Sequence, residues 1–281
     1  LPNRAASLTS TLAGYKSSDP EPFVLAALSV RYPLGQHLVE GGLQDNSIDC
    51  IDAFLHDKSS AKAVLTQLST VVHECGHVFD HTQGDFYTST YVIREDLRFT
   101  CEGLAYSGPK AGFARSLLND DDYSALRAPC GGGFGNGCDS YADIYLDGNP
   151  NDKTFDSGDQ GFDTVLEETV QYVNSLATGY AYSDYFNFST SERDGIATFL
   201  CYVERYLHLA RTKHPEVYEY IVSDACWRDA TLTVWGRAWF YLEAAKSDPA
   251  LGIDDKNILK LVNDPTLLNE IQRLRDASGC Q

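Results

Sequence analysis

The chain has 281 residues and a formal net charge of −18, with 43% hydrophobic and 22% charged residues. That balance suits a water-exposed protein with a buried core and repels phosphate backbones, so a nucleic-acid partner is excluded. No apolar run reaches the roughly 18 residues that a membrane-spanning helix needs, which excludes a transmembrane reading. The acidity reads first as a solvated surface, and only secondarily as attraction for cations or basic peptides. A start at Leu1-Pro2 without methionine leads us to expect a processed chain whose export signal has been removed.

In chain order, residues 1–20 are polar and rich in Ser, and are expected to lie over the surface. From Ser59 to His81, apolar residues fall at Ala61, Val64, Leu65, Leu68, Val71, Val72, Cys75, Val78 and Phe79. That spacing is close to 3.6 residues and predicts one helix. Residues 85–100 are rich in β-branched and aromatic types and predict short strands. Residues 119–162 change to turn chemistry, with Gly, Pro, Asn and Asp clustered. Helical patterning returns over 163–178, 191–213, 215–223, 227–246, 256–262 and 265–277. Trp227, Trp235, Trp239 and Phe240 are expected to anchor the core of that last third. The reading is a mainly α (α+β) protein with a small β element beside the helix ending at His81. It forms one domain over 1–281, with sub-lobes 1–160 and 161–281 as an option.

Eight cysteines are present: Cys50, Cys75, Cys101, Cys130, Cys138, Cys201, Cys226 and Cys280. No CxxC pair exists, which disfavours a cysteine-ligated zinc knuckle and favours disulfides formed outside the cell. Cys130 and Cys138 flank a glycine-rich stretch that can fold back, so a local bridge is expected there. Cys280 is expected to staple the C-terminus to an earlier segment.

The chemistry sits in His73-Glu74-Cys75-Gly76-His77. On a helix, residues i and i+4 share a face, so both imidazoles can reach one ion. Glu74 is offset from that face, where it can meet a water at the metal and act as general base. A hydrolytic zinc site takes three protein ligands and keeps one position open. The metzincin extension HExxHxxGxxH fails, because Asp80 and Gln83 stand where glycine and the third histidine belong, and no Met exists for a Met-turn. A carboxylate is therefore sought. Glu102 lies in Glu102-Gly103-Leu104-Ala105, which resembles an element of aminopeptidase-type gluzincins. Glu167 forms a polar seam with Gln171 and Asn174 on a helical pattern, which suits a ligand with a hydrogen-bonding partner one turn later. Glu168 shares a face with Thr164, Tyr172 and Ser175 that reads as more exposed. Glu167 is the leading third ligand, with Glu102 and Glu168 as alternatives.

His73 to Gly84 (HECGHVFDHTQG) resembles the HExGHxxDxxxG stretch of the anthrax lethal-factor type of zinc peptidase, and Glu167 to Gln171 (EETVQ) resembles its ExxxE ligand helix. The resemblance covers two short segments. It implies a gluzincin with a zincin-like catalytic core, Glu167 as zinc ligand and Gln171 in place of a supporting carboxylate. It also implies a Tyr or His that donates to the oxyanion, for which Tyr145, Tyr172 and Tyr180 are candidates. Asp80, three residues after His77, is a candidate to orient a ligand imidazole. Asp147 to Asp152 opens like a calcium loop but lacks its glycine and closing glutamate, so a plain turn is preferred over a Ca2+ site. The expectation is a secreted, monomeric, zinc-dependent endopeptidase acting on protein or peptide substrates. The alternative is a non-catalytic binding or structural protein that metal stabilises on the same scaffold.

Overall fold

A computed structural model describes residues 1–45, 47–85, 87–102, 145 and 161–279. The expected Cys130 to Cys138 bridge, the expected Cys280 staple and the Asp147 to Asp152 run lie outside these residues. Mainly helical architecture with one small sheet is what the chain adopts. Helices α1 (Thr9–Ala13), α2 (Glu21–Arg31), α3 (Pro33–Gly42) and α4 (Cys50–Phe54) open it. Pro33 at the first position of α3 restarts the chain after Tyr32. Asp49 caps α4 by accepting from the Asp52 amide at 2.9 Å.

The helix expected over Ser59 to His81 is two helices, α5 (Ala61–Leu65) and α6 (Leu68–Gln83). The break lies at Thr66 and Gln67, where side chains take over backbone partners. Thr66 Oγ1 and Gln67 Nε2 both donate to the Ala63 carbonyl, and Gln67 Oε1 accepts from the amides of His56 and Asp57. The periodicity survives the break because both segments face the same core: Val64, Leu65, Leu68, Val71, Val72 and Cys75 are all buried. Strands β1 (Thr88–Arg94) and β2 (Leu97–Glu102) follow as an antiparallel hairpin with Tyr91 opposite Phe99.

Beyond residue 160 come α7 (Phe162–Tyr182), α8 (Glu192–Lys213), α9 (Pro215–Ser223), α10 (Ala225–Ala245), α11 (Asp255–Val262) and α12 (Pro265–Ala277). Their bounds match the sequence periodicities within a few residues, since each has an apolar face to bury. Helix α7 is buried on nearly every side and packs along α6. Trp227 and Trp235 are core residues, whereas Phe240 is 53% exposed and anchors nothing. Among the described residues two disulfides tie the layers together: Cys50 to Cys75 joins α4 to α6, and Cys101 to Cys226 joins β2 to α10.

Helix α8 also buries Glu204, whose two carboxyl oxygens have no hydrogen-bond partner among the described residues. Desolvation, with Asp264 as a lesser contributor, pushes this carboxyl up to about 9. The folded chain thus holds a proton there that the unfolded chain releases above its ordinary value near 4.5. Stability should fall as pH rises between those limits. Glu204→Gln removes the titration, so urea melts at pH 5, 7 and 9 should show the variant gaining on the parent by roughly 1.4 kcal/mol per pH unit. A constant difference would contradict this.

Candidate metal centre

Helices α6 and α7 build the centre between them. His73 and His77, one turn apart on α6, point their Nε2 atoms at each other across 2.9 Å. Glu168 of α7 brings Oε2 to 3.5 Å from both of these nitrogens. That oxygen is buried and accepts no hydrogen bond among the described residues. Three ligand-type atoms therefore converge on one point, all within 4.8 Å of one another. A tetrahedral ion with bonds near 2.0–2.1 Å separates its ligand atoms by about 3.3 Å, so the observed spacings fit a metal of zinc size within a few tenths of an ångström. Leaving a buried carboxylate oxygen unpaired is costly, and a cation at that point would remove the cost.

Glu168, not Glu167, is the carboxylate in this group. Glu167 Oε2 lies 2.6 Å from His77 Nδ1, the nitrogen on the far side of the ring. It therefore orients His77 and fixes its tautomer. Ser175 Oγ does the same for His73, at 3.0 Å from Nδ1. The seam of Glu167, Gln171 and Asn174 exists, but it is a supporting chain: Gln171 Nε2 donates to Glu167 Oε1, and Asn174 Nδ2 donates to Gln171 Oε1. The face of Thr164, Glu168, Tyr172 and Ser175 is the one turned to the histidines. Asp80 orients no imidazole; it accepts from the Val92 amide at 2.7 Å and from Gln171 Nε2 at 2.9 Å, pinning β1 and α7 to the metal helix. Glu102 ends β2 with its side chain exposed, and its carbonyl accepts from Tyr220 and Trp227.

Close approach of the helices depends on glycines. A Cβ on Gly76, inside the motif, would lie 2.0 Å from Gln171 Oε1. A Cβ on Gly42 would meet the Cys75 carbonyl at 2.5 Å, where α3 crosses α6. Gly76→Ala must displace the buried Gln171 amide, and with it the bonds to Glu167 and Asp80. Thermal melts should show a loss on the order of 1–3 kcal/mol despite the better helix propensity of alanine. A variant as stable as the parent would contradict the packing.

Imidazoles and carboxylates face each other across the group. Burial opposes protonation of His77, yet Glu167 first and Glu168 next hold its pKa well above the ordinary imidazole value. Burial would raise the Glu168 carboxyl, but the facing His73 and His77 rings hold it down at about 2.

Cavities line the site on both sides. A central one of about 530 Å³ is walled by His73, Glu74, His77, Tyr145, Glu167 and Glu168. A second, of about 460 Å³, shares His73, Glu74 and Tyr145 with it. A third, of about 370 Å³, shares His77, Thr164 and Glu167. Glu74 is half-buried and walls two of the three. Tyr172 sets its ring edge against His73, with centroids 4.8 Å apart, and its hydroxyl lies 3.4 Å from that of Tyr145. Tyr180 is two turns farther along α7, beneath the Arg4 guanidinium, and takes no part. Ser175 and the bridge through Cys75 were not foreseen as supports. The spacing of Glu168, Tyr172 and Ser175 at i, i+4 and i+7 was the signal that a single polar face met the histidines.

The chain matches no family model, no curated protein and no solved structure.

Proposed function

We propose that the protein is a secreted zinc-dependent endopeptidase of gluzincin type. The observation that carries the reading is the convergence of His73 Nε2, His77 Nε2 and the unpaired Glu168 Oε2 beside Glu74. His73, His77 and Glu168 would hold the metal, which when bound supplies Lewis acidity toward a carbonyl and lowers the pKa of a water. Glu74, which ligates nothing in the group, takes the proton of the attacking water and returns it to the leaving amine. Tyr145, between the two cavities that share Glu74, donates its hydroxyl to the developing oxyanion. Glu167 and Ser175 keep the imidazoles aimed. The chain of three cavities that share walls suits an extended polypeptide rather than a small ester or amide. Two disulfides, and no helix among the described residues long and apolar enough to cross a membrane, support an extracellular setting.

The test is chelation. Dialysis against 1,10-phenanthroline should abolish cleavage of unfolded casein at a temperature where circular dichroism shows the helices intact, and Zn2+ should restore it. Cleavage that survives complete metal removal would reject the reading. Loss of the helices together with the metal would favour a structural role instead. Tyr145→Phe should lower kcat on a peptide substrate by ~10²-fold with little change in KM.

A further inference from the structure

We infer that the third cavity, beside His77, is a subsite for a lysine or arginine side chain of the substrate; this rests on the endopeptidase reading and names its substrate class. The cavity of about 370 Å³ is lined by His77, Asp80, Asp85, Ser89, Asp163 and Glu167, among others. Acidic lining alone would prove nothing, because most of these carboxylates are already engaged. Asp80 spends its oxygens on the Val92 amide and Gln171, and Glu167 spends its own on His77 and Gln171. Asp85 Oδ1 accepts from the Tyr87 amide and the Thr88 hydroxyl.

Asp163 differs. It is 7% exposed, and its Oδ1 is buried without a hydrogen-bond partner among the described residues. Its Oδ2 receives a long contact from Ser89 Oγ at 3.5 Å, and the backbone amides of Asp163 and Thr164 also bear on the carboxyl. A carboxyl so placed keeps acceptor capacity at the wall of a cavity, and a cationic donor is what would use it. Burial, with Glu167 as a lesser contributor and against the nearby amides and Ser89, pushes this carboxyl up to about 7, so ionisation on arrival of a cation is within easy reach at neutral pH. Its place in the first turn of α7, where free amides favour negative charge, supports the ionised form.

The occupant is an organic cation rather than a metal ion. Calcium takes six to eight oxygen ligands, and here the buried oxygen left without a partner belongs to a single carboxyl. An ammonium or guanidinium on an aliphatic stem needs one strong acceptor at its tip and room for its length. Sharing His77, Thr164 and Glu167 with the central cavity places the occupant on a residue flanking the scissile bond.

The experiment uses the zinc-loaded full chain on an unfolded protein read by mass spectrometry, with matched quenched peptides carrying lysine or norleucine at each flanking position. Cleavage should cluster beside Lys and Arg. At one position, kcat/KM for lysine should exceed that for norleucine by at least tenfold. Asp163→Asn should bring that ratio to near one. Ser89→Lys, which tethers an ammonium beside Asp163 from β1, should do the same without altering α7. Cleavage without basic preference, or a preference that both variants retain, overturns the subsite and leaves the peptidase reading standing. No cleavage by the parent sinks both. Fluorescence anisotropy of the lysine peptide on Glu74→Gln gives a separate readout: tighter binding than the norleucine peptide supports the subsite, and equal binding opposes it.

Discussion

Glu168→Gln is expected to leave a folded chain that loses zinc during purification, while Glu167→Gln keeps the ion. Glu168 Oε2 faces both Nε2 atoms at 3.5 Å, whereas Glu167 touches the opposite edge of the His77 ring. Removing a charged ligand from a site worth ~12 kcal/mol over four positions costs about 3 kcal/mol, or ~10²-fold in affinity, and the loss of the anionic charge adds to it. Glutamine at 167 still accepts from His77 Nδ1, so only the added basicity of a carboxylate partner is lost, at about tenfold or less. Competitive titration with a fluorescent zinc chelator ranks the two variants. The reverse ranking would return the ligand role to Glu167 and require α7 to turn by about 100°.

Glu74→Gln is expected to bind one zinc per chain as tightly as the parent and to lose ~10³-fold or more in kcat. Glu74 lies outside the ligand group but walls two of the cavities that meet at the histidines. A glutamine there keeps shape and hydrogen bonding and removes the ability to take a proton, which is worth ~10²–10⁴ in such reactions. Steady-state hydrolysis of a quenched peptide, read beside metal content, separates the two effects. Parent-like cleavage would mean that another group moves the proton. Joint loss of zinc and activity would mean that Glu74 supports the metal.

Much of this arrangement was legible in the sequence because it is written in periodicity. The apolar rows of α6 and α8 to α12 bury against neighbours, α7 is apolar nearly all round, and the motif falls on a helix for the same reason. Helix α3 was harder to read. Its sequence, PLGQHLVEGG, has weak helix formers, and Gly41 and Gly42 are present because Phe79 and Cys75 approach too closely for any side chain. The difference between the Glu167 and Glu168 faces was hidden for a related reason. Two polar faces of one buried helix look alike in sequence, and the seam with Gln171 and Asn174 appeared the better-supported one. It is well supported because it is the scaffold: it carries Asp80 and Gln171, while the neighbouring face carries the ligand. Cysteine pairing was equally hidden, since nothing local to Cys50 points to a partner inside the HExxH turn.

The bridge from Cys50 to Cys75 closes a loop of sequence separation 25 onto the metal helix. Constraining a loop of that length is worth about 3 kcal/mol in the chain-entropy account. The Cys50→Ala, Cys75→Ala double variant should therefore melt well below the parent with the metal site still able to form.

The most direct measurement is anomalous diffraction at the zinc edge from crystals of the full chain purified without added metal. The account predicts one peak per chain at about 2 Å from His73 Nε2, His77 Nε2 and a Glu168 oxygen, with Glu167 beyond bonding distance. A peak ligated by Glu167, or no peak between the two imidazoles at all, would contradict it.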